Sequence, residues 1–126
     1  MDSKTTGILG EKITIDYLEN KGYQILDKNY FSKFERGPRR GEIDIVAKKE
    51  GTISFVEVKT LRQAQEGPFN PEQKVDHLKQ RKIIKAAQSW LIKNKIPLDS
   101  KWQIDVVAIN LENNQAKIRH FTNAVF

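Results

Sequence analysis

Residues 41–60 read Gly41-Glu42-Ile43-Asp44-Ile45-Val46-Ala47-Lys48-Lys49-Glu50-Gly51-Thr52-Ile53-Ser54-Phe55-Val56-Glu57-Val58-Lys59-Thr60, and this stretch decides the fold. Two runs rich in Ile, Val and Phe flank the polar, glycine-containing segment from Lys49 to Thr52, which is the pattern of a β-hairpin. A loop of two residues, Glu50-Gly51, or of four, Lys49 to Thr52, sets Asp44 opposite Glu57 and Glu42 opposite Lys59. Side chains alternate along a strand, so Glu42, Asp44, Glu57 and Lys59 then share one face while Ile43, Ile45, Val56 and Val58 line the other. A loop with an odd number of residues would slip the register and send the two acids to opposite faces.

Charged side chains inside apolar strands are costly unless they are paired, hydrated or bound to a metal. Directly opposed Cβ atoms lie roughly 4.5–5.5 Å apart, close enough for two carboxylates to hold one cation. Without a cation they repel, or one of them keeps its proton. The ion expected here is hard and oxygen-loving, Mg²⁺ or Mn²⁺, with Asp44 and Glu57 as its ligands. The chain has no cysteine, and its two histidines, His77 and His120, stand far apart in sequence, which argues against zinc. Lys59 beside the ion can orient an attacking water, help it lose a proton, or stabilise charge building on a phosphate. A plain cross-strand ion-pair ladder would place the same charges. Val46 and Phe55 continue that face, however, and fit poorly on a wet surface.

From about Gly7 to Lys21 the apolar residues follow helical spacing, with Ile8, Ile15 and Leu18 on one stripe and Glu11 in its middle. Glu11 is therefore expected to face inward, toward the cation or Lys59. The competing reading is an acid placed near a helix N-terminus by the dipole alone. Gly22 supplies a C-terminal cap, and Tyr23 to Asn29 reads as a first strand. Past the hairpin, Gly67, Pro68 and Pro71 mark residues 61–72 as a loop able to fold over the site, and the polar Gln73 could hold a group near the metal. Residues 73–94 then form an amphipathic helix burying Ile83, Ile84, Ala87, Trp90 and Leu91, which makes Trp90 core and not a stacking platform for bases. Trp102 to Asn110 and Ala116 to Phe121 read as closing strands around the turn at Asn113-Asn114. Asp105, a lone acid in an apolar strand, reads as a structural hydrogen-bonding group. His120 reads as structural, with phosphate contact as its alternative.

These residues carry a resemblance. Gly10-Glu11, Tyr17-Leu18, Gly22-Tyr23, Gly41 to Ala47, Phe55 to Thr60, Lys79-Gln80-Arg81-Lys82, Ala86-Ala87, Ile104 to Val107, His120 and Asn123-Ala124 resemble, nearly end to end, the YraN-type family of small bacterial proteins. That family is similar to the PD-(D/E)XK endonuclease superfamily, in its branch of archaeal Holliday-junction resolvases. The resemblance implies an α/β fold with a restriction-endonuclease-like core, a mixed central β-sheet flanked by helices. It also implies catalytic roles for Glu11, Asp44, Glu57 and Lys59. The chain departs from the family pattern in three places: Phe31 to Arg40 is longer than the usual connection, Lys74 stands where a small residue is common, and Gln103 replaces a frequent arginine.

Composition agrees with a polyanionic partner. The 126 residues suit one domain, carry a formal net charge of +6 and have a sequence pI near 9.6. Lys33, Arg36, Arg39 and Arg40 crowd one loop, while Lys74, Lys79, Arg81, Lys82 and Lys85 crowd the start of a helix. Either cluster alone is commonly just a solvated face. Flanking the hairpin together, they are candidate nucleic-acid-binding residues that contact phosphates without reading sequence. No apolar run approaches the roughly 20 residues needed to cross a bilayer, so a cytoplasmic protein with no membrane partner is expected.

The expectation is thus a metal-dependent nuclease acting on DNA, with branched or flapped DNA suggested by the resemblance alone. The alternatives are a non-cleaving nucleic-acid-binding module of a repair or recombination assembly, and an RNA-binding domain. Resolvases need paired active sites, so the resemblance leaves a homodimer open.

Overall fold

The computed structural model describes residues 3–32, 41–62 and 77–124. The expectations for Lys33, Arg36, Arg39, Arg40, Gln73, Lys74 and the loop through Gly67, Pro68 and Pro71 lie outside the described residues, as does that for the side chain of Lys79. In chain order the elements are α1 (Ser3–Asn20), β1 (Gln24–Phe31), β2 (Glu42–Lys49), β3 (Thr52–Arg62), α2 (His77–Lys93), β4 (Trp102–Glu112) and β5 (Gln115–Phe121).

Helix α1 stops where the sequence places its cap. Gly22 adopts φ +94, Tyr23 N donates to Leu18 O and Gly22 N donates to Glu19 O, each at 3.0 Å. This is a Schellman closure, which needs a left-handed residue that glycine provides without strain. The β2–β3 hairpin turns through Glu50 and Gly51, both with positive φ, and β4–β5 turns through Asn113 and Asn114 in the same way. Two successive left-handed residues match the twist of tight hairpins, so both turns fix even-loop registers.

The strands form one mixed sheet in the order β1-β2-β3-β4-β5. Every neighbouring pair is antiparallel except β3 and β4, which run parallel and are joined by the crossover carrying α2. The helices take opposite faces. Ile83, Ala86, Ala87, Trp90 and Leu91 of α2 pack with Val46, Ile53, Phe55 and Ile104, and Leu18 of α1 packs with Ile45, Ala47, Val56, Val107 and Ile109. Trp90 is core, set edge-on to Phe55, and its Nε1 donates to Asp27 Oδ2 at 3.0 Å. An α/β sheet covered on both faces in this manner is a restriction-endonuclease-like core. Among the described residues no helix is long and apolar enough to cross a membrane.

Two expectations are corrected. Ile8 is 61% exposed and does not belong to the buried stripe of α1, which instead runs through Thr6, Gly10, Thr14 and Leu18. The reason is proximity to the sheet: a Cβ on Gly10 would collide with Thr60 Oγ1, so small residues must line the contact. Thr14 tolerates burial because its hydroxyl donates to Gly10 O at 2.8 Å. The second correction concerns Ile43, which joins Tyr30 and Val46 on the α2 side and not Ile45 on the α1 side. Alternation fails there because β2 parts from β3 at Asp44 while staying paired with β1 through Tyr30↔Ile43 and Phe31↔Glu42.

Candidate functional site

The parting of β2 from β3 builds the site. Their ladder runs from Lys49↔Thr52 to Ile45↔Val56, in the register expected from the even loop. At the next position the expected face-to-face pairing of Asp44 with Glu57 gives way to a different arrangement. Asp44 Oδ2 accepts a hydrogen bond from Val58 N at 2.8 Å, so a carboxylate takes the backbone N–H that a strand carbonyl would otherwise take. Beyond this fork β3 continues beside β4, through Glu57↔Val106, Val58↔Val107 and Lys59↔Ala108. The acids are thereby carried on rigid strands and not on a loop.

Lys59 and Glu57, two apart on β3, point to the same face, and Lys59 Nζ lies 3.1 Å from Glu57 Oε1. Glu57 is the less exposed partner, at 12% against 23% for Lys59, so water screens the pair only partly. Glu57 Oε2 is buried and receives no hydrogen bond among the described residues, while the residue is engaged through Oε1. Glu42, expected opposite Lys59, sits at the start of β2 in register with Phe31 of β1.

Electrostatics shows which groups share a neighbourhood. Burial pushes the Asp44 carboxyl up to about 6, the Val58 N–H draws it down, Glu57 and then Glu11 push it up, and Lys59 draws it down. The other three residues named from sequence, Glu57, Glu11 and Lys59, therefore act on the Asp44 carboxylate. Glu11 lies half-buried on the flank of the α1 stripe, close enough for its charge to be felt at Asp44. Among the described residues no group of three or more His, Asp or Glu side chains converges tightly enough to hold a metal by itself. The donor set on offer is two strand carboxylates, Asp44 and Glu57, with Glu11 behind. That suits Mg²⁺, which commonly takes one or two protein carboxylates and completes its shell with water and phosphate.

Of the basic residues named from sequence, Arg81 is exposed and Lys82 half-buried on α2. This part of α2 packs against the head of β2, three residues before Asp44, since a Cβ added to Gly41 would strike Lys82 O. Asp105 and His120 are structural, as expected. Asp105 is fully buried and accepts from Gln103 Nε2 at 3.0 Å and Asn123 N at 2.9 Å, and its Oδ2 lies 2.8 Å from His120 Nε2. His120 Nδ1 in turn meets the Tyr17 hydroxyl at 3.3 Å, tying β5 to α1. Gln103 here does a local job, holding Asp105. Sequence reasoning missed the Val58 N–H as a partner for Asp44, because a backbone donor leaves no mark in residue identities.

Comparison with known proteins gives one consistent result. The model of the uncharacterised protein family UPF0102 matches residues 10–109. A UPF0102 protein of Alkaliphilus oremlandii is 40% identical over 97% of this chain and 98% of its own length. UPF0102 proteins of Geobacter metallireducens and Pelobacter propionicus are 40% and 42% identical, each over 98% of this chain, and over 94% and 84% of their own lengths.

Proposed function

The chain belongs to the uncharacterised protein family UPF0102, the YraN-type family that its motifs resemble, and from that footing we propose that it is a Mg²⁺-dependent endonuclease hydrolysing DNA phosphodiester bonds. Branched or flapped DNA is the substrate, and the chain works as a single nuclease-like domain in the cytoplasm. The observation that carries this reading is the fork at Asp44, where two further acids and a lysine bear on one desolvated carboxylate. Such a cluster costs stability, which a bound cation would offset.

Asp44 and Glu57 would hold the ion, and Glu11 would add negative charge behind them. When bound, Mg²⁺ supplies Lewis-acid polarisation of the phosphate and lowers the pKa of a coordinated water. Lys59 is steered by its contact with Glu57 and presents its ammonium hydrogens to the attacking water or to a non-bridging phosphate oxygen, where charge builds as the P–O bond breaks. The Val58 N–H fixes the Asp44 carboxylate, so that no reorganisation is needed when substrate arrives. Arg81 and Lys82 supply phosphate contacts along α2.

The test is incubation of the purified protein with labelled branched, flapped, single-stranded and duplex DNA in Mg²⁺ or Mn²⁺, beside Glu57→Ala prepared identically. Cleavage by the unaltered protein alone supports the reading. Tight binding without cleavage by either protein replaces it with a non-cleaving nucleic-acid-binding module.

A further inference from the structure

A groove of about 780 Å³ opens between edge strand β1 and the outer side of α2, away from the acidic cluster. Its lining is mostly apolar and includes Tyr30 and Phe31 from β1 and Ile92 from α2, with Lys28, Lys85 and Lys93 among the bordering residues. Phe31 is 39% and Ile92 65% exposed, an unusual display of large apolar side chains beside three lysines. Among the described residues the groove's one acid is Asp27, and it is already engaged, accepting from Trp90 Nε1 and from Lys28 N. Lys93 lies 5.4 Å from the centre of the Tyr30 ring, whose hydroxyl is 2.6 Å from Ser89 Oγ. The floor is thus fixed by contacts within the protein.

We propose that this groove holds a short single-stranded nucleic-acid tail leading away from the candidate active site. The inference rests on the nuclease reading for the place where the tail begins. Phe31 is in register with Glu42 and Tyr30 with Ile43, so the groove's mouth lies one strand away from the Asp44 fork. Lys85 stands three residues beyond Lys82, whose backbone abuts Gly41 at the head of β2. From Lys85 to Lys93 the helix advances roughly 12 Å, which accommodates about three nucleotides at stacked spacing.

Both halves of the chemistry match a single strand: the exposed apolar surface of Phe31 and Ile92 for base faces, and ammonium groups for phosphates. A second copy of this chain would bring lysines against lysines. An added β-strand is disfavoured because β1 carries a register shift between Ile25 and Asp27 and a left-handed Asn29 at φ 54, devices that spoil an edge for pairing. Duplex DNA hides its base faces and has no use for the apolar floor.

The experiment measures binding in the cleavage-suppressed Asp44→Asn background, using blunt duplexes and the same duplexes bearing a three- to six-nucleotide single-stranded DNA or RNA tail. The tail is expected to tighten binding about tenfold. Ile92→Ser/Lys93→Glu and, separately, Phe31→Ala should remove most of that gain while leaving blunt-duplex affinity in place. Lys117→Glu on β5, at the opposite edge of the sheet, should leave the gain intact. Circular dichroism and thermal melts confirm that each variant is folded. No gain from either kind of tail, or a gain that survives both groove variants, overturns the proposal. So does loss of binding to an acidic, leucine-rich peptide in those variants with nucleic-acid binding unchanged. A tail-dependent gain with no Mg²⁺-dependent cleavage by the unaltered protein would sink the nuclease reading and leave the groove assignment standing.

Discussion

Asp44 is held in a form that disfavours its own charge, and this has consequences that can be measured without any substrate. Its carboxyl is pushed up to about 6, first by burial and then by Glu57 and Glu11. In the unfolded chain an aspartate ionises near its ordinary value of about 4. Below that pH both states are protonated and the fold is unburdened. As pH rises from about 4 to 6 the unfolded chain gives up the proton first, so stability falls, and above about 6 the penalty levels off at roughly 3 kcal/mol. Asp44→Asn keeps an oxygen for the Val58 N–H and removes the charge. It should therefore raise stability by roughly 1–3 kcal/mol at pH 7.5 and by little at pH 4, as read by urea denaturation at the two values. An equal gain at both would show that packing, and not charge, is responsible. The same charge predicts a metal response. Mg²⁺ at ten times its dissociation constant should stabilise the unaltered protein at pH 7.5 by about 1.4 kcal/mol, and Asp44→Asn and Glu57→Ala far less. Identical melting curves with and without Mg²⁺ for all three would refute the assignment of the two acids as ligands.

Helix α1 brings Glu11 to the site by lying unusually close to β3, and the closeness is set by Gly10 against Thr60. Gly10→Ala must push α1 outward or displace the Thr60 hydroxyl, which should destabilise by roughly 1–3 kcal/mol. Thr60→Ala removes the clashing oxygen and leaves the next nearest atom at 3.2 Å, so the double variant should recover most of the loss. Additive losses in that cycle would place the strain elsewhere. The contact also marks what was legible in the sequence. The β2–β3 hairpin could be read because alternation and an even loop fix each other, and α2 because its apolar spacing is plain. The buried stripe of α1 could not, since Thr6, Gly10 and Thr14 carry no hydrophobic signal, and Ile8 carries a misleading one. The Asp44, Glu57 and Lys59 set was legible from strand spacing, but the fork was not: alternation predicts faces only while a ladder continues. Contacts such as Tyr17 with His120, 103 residues apart, and Asp27 with Trp90, 63 apart, leave no local periodicity to find.

The chain carries a formal net charge of +6, and among the described residues its cations stand at separate places on the fold. Helix α2 carries Arg81 exposed and Lys82 half-buried, with the Lys82 backbone against Gly41, whereas Lys117 sits on β5 at the far edge of the sheet. A general attraction of a basic protein for DNA would weigh these positions alike, because every exposed cation contributes to the net charge. A docked phosphate backbone would not, because only cations that displace condensed counterions enter the salt dependence, at about 0.9 in the logarithmic slope for each phosphate contacted. Arg81→Ala should therefore lower the slope by about one unit between about 50 and 200 mM salt, and weaken binding to the same degree on unrelated sequences. Lys117→Ala should leave the slope where it was, although it removes the same unit of charge. Fluorescence anisotropy with Asp44→Asn as the common background separates the two cases. Equal slopes for the two variants would mean that α2 does not face the nucleic acid, and that the sheet meets its partner from another side.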